Sequence, residues 1–375
     1  MKVKSSKATR GQLREHNRQL ILRSVYLGAA TSRAALAQET GLTKPAVSNL
    51  VEMLIAEGFL IEEGFGESTD SGGKRPRLLR FMPDARQVIG VWINQQTILG
   101  VLTNLDGEVI ASHFADLPSI DLIEGDVMGV IIGVINGLIA QTHAPLLCIG
   151  VGISGVVDSD GVILHAPRFG WTNYALSDPL SKRYDVPVHI ANSSELTALA
   201  QYTFGKVGDI SKLVTVVISN GVGVGAVLNG TANHLGSEIG HLLVEGKPLQ
   251  SVLGWQSVRE RISENKELDQ DISYLKIRFA AEQGDQAALD LNEELASHVA
   301  RIFAWVIALM RPDHLSLAGA ISDLGEGFLN VVIAKTRLLV LPELVERITF
   351  SADDTPNLAA IGAAARSIQM ELGLV

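Results

Sequence analysis

With 375 residues, 47% hydrophobic and 19% charged, the chain is globular and long enough for two or three domains. Its one cysteine, Cys148, excludes an internal disulfide framework and fits a reducing cytoplasm, while the most apolar stretch, residues 129–140, is too short to span a bilayer and is broken by Asn136. The net charge of −10 is divided unevenly: residues 1–80 hold 13 Lys and Arg against 8 Asp and Glu (+5), and the remainder holds 18 against 33 (−15).

An acidic body with a basic head points to a polyanion partner for the head alone. The amino terminus is basic but has no uninterrupted apolar core, so no signal peptide is expected. Leu13, Leu20, Ile21, Val25 and Tyr26 stand at helical spacing and predict a first helix over residues 12–27. Thr31 and Ser32 offer an N-cap for a second helix, Leu36 and Ala37 its inward face, and Gly41 its stop. Thr43 can cap a third helix running to Glu57, with Pro45 tolerated in the first turn and Val47, Leu50, Val51, Leu54 and Ile55 as one apolar stripe.

Two short helices joined through a glycine turn, after a longer one, read as a helix-turn-helix. The third helix leaves Lys44, Ser48 and Asn49 off its apolar stripe near the amino end, where a recognition helix reaches base edges. The segments FLIEE and LLRFM then flank GFGESTDSGGKRPR, a two-stranded wing whose tip carries Gly72, Gly73, Lys74, Arg75 and Arg77. A three-helix packing module with a solvated basic loop would show the same pattern. Its coincidence with the charge switch favours DNA binding by residues 1–80.

Residues 81–86 form the boundary. Beyond it, strands are expected at 88–93, 98–103 and 109–114, with Asp106-Gly107 as a hairpin turn, then a helix at 123–140 and a buried strand at 146–153. A short strand at 188–190, a helix at 195–204 and strands at 213–219 and 223–228 around Asn220-Gly221-Val222-Gly223 follow. The later part is mainly helical, with strands near 315–318 and 347–351. Strand runs mixed with crossover helices argue for an α/β body.

One stretch of that body, residues 234–260 (HLGSEIGHLLVEGKPLQSVLGWQSVRE), has few polar residues at unusual intervals. Glu238 and His241 are three apart in a glycine-flanked turn, and Glu260 lies nineteen beyond the histidine. Two carboxylates and an imidazole at loop and helix ends can hydrogen-bond several hydroxyls at once, as holding a sugar requires. On spacing alone they could equally be three surface residues in a long connection.

The stretch resembles the signature of the ROK family (repressors, open reading frames and sugar kinases), roughly G-E-I-G-H and then C-x-C-G-x-x-G-C-x-E, whose first cysteine stands ten positions after the histidine. Its first part falls on residues 237–241 and its second on residues 251–260, with no gap. The resemblance implies sugar contacts by Glu238, His241 and Glu260. It also implies a structural zinc on the histidine and three cysteines, but Ser251, Leu253 and Val258 stand at the cysteine positions, so no metal is expected. The first eighty residues are similar to the winged head of the family's repressor branch, whose G-x-(K/R)-P element approaches the minor groove.

In the family's kinases the first hairpin carries D-x-G-G-T, which admits nucleotide phosphates. The matching run here is Trp92-Ile93-Asn94-Gln95-Gln96, too bulky for a phosphate cradle. The family's catalytic aspartate follows an asparagine; here Asn192 matches but Ser193 takes the aspartate's place, and serine is no base near neutral pH. Asn220-Gly221-Val222-Gly223-Val224-Gly225 resembles the family's second phosphate loop, although tight strand turns use the same residues. Asn192, the run GISG at 152–155 and the run His165-Ala166-Pro167-Arg168-Phe169-Gly170-Trp171 match the sugar side. His241 could also be a leftover of the lost metal site.

The expected protein is therefore α/β, with a winged helix-turn-helix at residues 1–80 and, as the resemblance implies, a two-lobed actin-like (ribonuclease H-like) ROK domain at 81–375, its lobes near 81–200 and 201–375. Expected partners are operator DNA, a sugar or sugar derivative, and copies of itself in a homodimer or homotetramer. No cofactor and no enzymatic activity are expected. The alternatives are a sugar kinase with a fused head and a regulator that answers to a protein partner.

Overall fold

Helices α1 (Arg10–Tyr26), α2 (Arg33–Thr40) and α3 (Lys44–Ala56) open the computed structural model, which describes residues 10–66, 75–117, 124–205, 207, 210–233, 238–264 and 272–374. Ser32 accepts from the Ala35 amide and Thr43 from the Ala46 amide, while Gly41 ends α2 at a left-handed φ of 70°. Each cap supplies a partner to an amide that its helix leaves unpaired. The antiparallel pair β1 (Leu60–Phe65) and β2 (Arg77–Phe81) completes a winged helix-turn-helix, with Leu60 opposite Phe81. The wing is pinned at its base, where the Leu79 amide donates to the Thr31 carbonyl at 2.8 Å. Gly72, Gly73 and Lys74 lie outside the described residues.

The first lobe is built on the antiparallel meander β3 (Gln87–Ile93), β4 (Thr97–Thr103) and β5 (Val109–Asp116). Helix α4 (Glu124–Ile139) crosses over to β6 (Leu146–Ile153), which lies parallel to β3. A three-stranded ribbon follows, β7 (Val156–Val157), β8 (Ile163–Ala166) and β9 (Trp171–Tyr174). Its strands are too short for a periodicity signal, and the sequence did not predict it. Helix α5 (Ser177–Tyr184) leads to β10 (Val188–Asn192), giving the sheet order β10-β6-β3-β4-β5.

Helix α6 (Ser193–Phe204) leaves β10 directly and leads into the second sheet, beginning with β11 (Lys212–Ile218), β12 (Val222–Leu228) and β13 (Thr231–Asn233). The short pair β14 (Leu243–Val244) and β15 (Lys247–Pro248) precedes helices α7 (Gln250–Leu253), α8 (Trp255–Glu264), α9 (Tyr274–Glu282) and α10 (Gln286–Met310). Strand β16 (His314–Ala318), helices α11 (Gly325–Arg337) and α12 (Pro342–Val345), and strand β17 (Thr349–Asp353) complete the order β13-β12-β11-β16-β17. Each sheet has its own apolar core.

Helix α13 (Leu358–Leu372) joins these parts. A Cβ on Gly90 or Gly150 would lie 1.9 Å from a carbonyl oxygen of α13, at Ala360 and Ala363 respectively. The helix backbone therefore rests directly on β3 and β6, which only glycine permits. Its far end enters another cluster: Ile368, Leu372 and the following Leu374 are buried with Ile21, Leu22, Val25 and Phe81 of the head. Cys148 belongs to the same cluster, and burial pushes its thiol pKa well up, so it acts as a small hydrophobe.

Candidate functional site

A cavity of about 390 Å³ opens between the two sheets. The first lobe contributes Trp92 from β3, Asn94 and Gln95 from the β3–β4 turn, Ser154 after β6, His165 and Arg168 around the end of β8, and Asn192 to Ser194 at the β10–α6 junction. The second lobe contributes the β11–β12 turn, Glu238, His241 and Gln250. Glu238 Oε2 lies 3.7 Å from His241 Nε2, and Gln250 Nε2 is 3.5 Å from His241 Nδ1. Gly240 lets this turn seat on β12, because a Cβ there would come within 2.8 Å of the Val222 carbonyl. A carboxylate, an imidazole and an amide thus face a cavity large enough for a sugar.

Two of the four sugar-side residues expected from sequence stand differently. Asn192 lines the cavity, but its Oδ1 accepts from the Ser194 amide at 2.8 Å and from the Glu195 amide at 3.4 Å, while Nδ2 donates to Gly155 O at 2.8 Å. Its side chain caps α6 and clamps the neighbouring loop. Glu260 does not line the cavity; it is exposed on α8, where Gln256 Nε2 donates to it at 3.2 Å. Among the described residues of that helix Val258 and Ile262 are buried, and a position two residues from each falls on the opposite face. Ser154 and Arg168, from the two runs that match the sugar side, also line the cavity, and so does Gln250, which the sequence gave no such role. They converge only through the tertiary fold.

Trp92 stands between this cavity and a second one of about 400 Å³, and lines both. Its indole Nε1 is buried with no partner among the described residues. Ser193 Oγ lies 3.3 Å from Ser154 Oγ, so a hydroxyl pair stands where the family's kinases carry their aspartate. Two of the three glycines of the 220–225 run, Gly223 and Gly225, have a packing role, whereas Gly221 faces open space. A Cβ on Gly223 would fall 2.1 Å from Ser194 Oγ, and one on Gly225 would fall 2.0 Å from the Ser194 carbonyl. They admit the start of α6 against β12.

Where the family signature places its zinc, Leu253 and Val258 are fully buried in the second core, and Trp255 packs on Tyr274 with ring centroids 4.5 Å apart. Ser251 is exposed and its hydroxyl donates to the Pro248 carbonyl at 2.7 Å. These side chains supply no thiolate, so the residues present do not fit a four-ligand zinc site. Apolar packing holds the loop. Chelation is therefore expected to leave the melting temperature unchanged; one zinc per chain with unfolding on chelation would contradict this.

In the head, Lys44 and Asn49 are exposed at the amino end of α3, with Ser48 half-buried between them. Arg33 braces that helix, donating to the Ser48 carbonyl at 3.2 Å and pairing with Glu52 and Glu62. Arg75 is exposed at the edge of the wing. Arg77 lies within β2 instead of at the tip; it pairs with Glu62 at 2.8 Å and stacks over Phe65. The guanidinium beside Glu62 holds that carboxyl below its ordinary pKa.

The profile of the ROK family matches residues 88–369. The xylose repressor of Caldicellulosiruptor bescii is 28% identical over 361 residues, covering 85% of this chain and 86% of that protein. Among solved structures, a ROK family transcriptional regulator described as a homolog of E. coli MLC protein superposes with a TM-score of 0.83 at 22% identity, covering 96% of both chains. A ROK family glucokinase from Streptomyces griseus, solved with glucose and AMPPNP, superposes with a TM-score of 0.66 at 22% identity, covering 76% of this chain and 99% of the kinase. Both likenesses show a shared fold.

Proposed function

The chain belongs to the ROK family, and we propose that it is a sugar-responsive transcriptional repressor of carbohydrate metabolism genes. One observation carries this reading: a winged head with an exposed recognition helix is fused to a sugar-sized cavity that keeps Glu238 and His241 but has Trp92 and Ser193 in place of phosphoryl-transfer groups. The head would bind operator DNA through Lys44, Ser48 and Asn49 in the major groove, and through Lys74, Arg75 and Arg77 on the backbone or minor groove. A single head covers little DNA, so a homodimer or homotetramer presenting paired heads in the cytoplasm completes the proposal. Arg75→Ala should weaken all DNA sequences alike and lower the salt slope by about 1, whereas Asn49→Ala should change operator preference. Unchanged operator affinity in Arg75→Ala would refute this placement of the wing.

Helix α13 supplies the route from cavity to head. Leu358 and Ala359 at its start line the second cavity beside Trp92, and Leu372 at its end is buried in the head's core. A rigid helix of about 22 Å spans the two. Sugar that closes the lobes would then shift the balance between two head arrangements, provided it binds one state more tightly.

The same cavity is proposed to be catalytically silent. Replacing a general base by serine costs about 100- to 10,000-fold in rate, and Trp92 and Gln95 occupy the phosphate side. Coupled ATP assays over a sugar panel should stay at background, for the parent chain and for Ser193→Asp alike. Robust turnover by the parent would favour a kinase with a fused head.

A further inference from the structure

We propose that the sugar recognised here carries an anionic group, a phosphate or a carboxylate, and that Arg168 is the residue that selects it. The inference rests on the sugar-binding reading of the cavity and adds the chemical class of ligand. Arg168 follows β8 in a tight turn held by its neighbours. Phe169 is buried, its ring centroid 5.1 Å from that of Trp171, and Gly170 turns the chain at a left-handed φ of 66°. The arginine's backbone is thus fixed at the cavity wall, while its side chain is exposed to the opening.

The guanidinium is oriented but not neutralised. Its Nε donates to the Gln95 carbonyl at 3.2 Å, and among the described residues no carboxylate pairs with it. That leaves the two terminal NH2 groups, the planar fork that suits a phosphate or carboxylate. Glu238 is the one carboxylate among the residues lining the cavity, and it faces His241 across 3.7 Å. Ser154 and Ser193 add hydroxyl donors 3.3 Å apart, so an anion beside them meets no repelling side chain on that wall. Helix α6 starts at Ser193 and turns its positive end toward the same space. A neutral sugar would leave the fork without a charged partner. An anionic one fills it.

The test is calorimetry on the full chain with a panel of pentoses and hexoses, each offered as the neutral sugar, the phosphate ester and the uronic acid. For the best-bound sugar, one anionic form should bind the parent protein at least ~10-fold more tightly than the neutral form, as expected for a charge-assisted hydrogen bond. The phosphate and carboxylate arms tell which anion it is. Arg168→Gln should remove that advantage, so that the anionic and neutral forms bind alike, while the melting temperature stays unchanged. Neutral sugars that bind as tightly as both acids, or an advantage that survives Arg168→Gln, would overturn the anion and leave sugar sensing intact. Absence of binding by every form would overturn both.

Discussion

Glu238→Ala is expected to weaken sugar binding about 10- to 150-fold, the loss that follows when a hydroxyl gives up a charged partner worth roughly 1.5–3 kcal/mol. His241→Ala should act in the same direction, because the two side chains face each other across the turn. Operator affinity without sugar should stay near its original value in both, since neither residue touches the head or α13. If sugar is an inducer, either variant holds its operator at sugar concentrations that release the parent. Two further substitutions bracket the result. Glu260→Ala should bind sugar normally because that carboxylate points away from the cavity, and Asn192→Ala should lose about 0.5–2 kcal/mol of stability as a broken helix cap. Undiminished sugar affinity in both Glu238→Ala and His241→Ala would show that the cavity works differently, and control by a protein partner would then lead.

Leu372→Ala is expected to have the largest effect on stability. The side chain is 2% exposed and packs among head residues. Deleting it opens a cavity at a cost of about 2–5 kcal/mol. The loss should be felt at one end of the molecule: weaker operator binding and a looser head, with sugar affinity in the cleft retained. Thermal unfolding, operator titration and calorimetry on the one variant separate these effects. Equal losses of sugar and operator binding would mean that α13 does not connect two distinct sites.

The head was legible in the sequence because its signals are local. Ser32, Gly41 and Thr43 act within three residues of themselves, and the structure uses all three as caps or stops. Much of the cleft was legible by resemblance: Trp92, Ser193, Glu238 and His241 line one space. What escaped depends on long-range geometry. The orientation of Glu260 is set by how α8 turns Val258 and Ile262 inward, which spacing to His241 cannot reveal. Asn192 matches its family position, yet which bonds its amide makes depends on where the Gly155 carbonyl arrives. The glycine run at 220–225 resembles a phosphate loop, but Gly223 and Gly225 are required by the helix that packs on them. Arg168 sits in a run that matches the sugar side without marking the arginine itself, and Gln250 carries no local signal at all. Nor does the sharing of the head's core with the last helix, because Leu22 and Leu372 meet only in the folded chain.

An operator titration of the parent protein, with and without the sugar that calorimetry shows to bind it, decides whether one chain joins operator binding to sugar sensing. A nanomolar-range complex is expected, as is usual for specific DNA recognition, with an affinity that changes at least ~5-fold when sugar saturates the cavity. By linkage, operator DNA should change the affinity for sugar by the same factor. Operator affinity that is identical at zero and saturating sugar would mean that the cavity and the head are uncoupled.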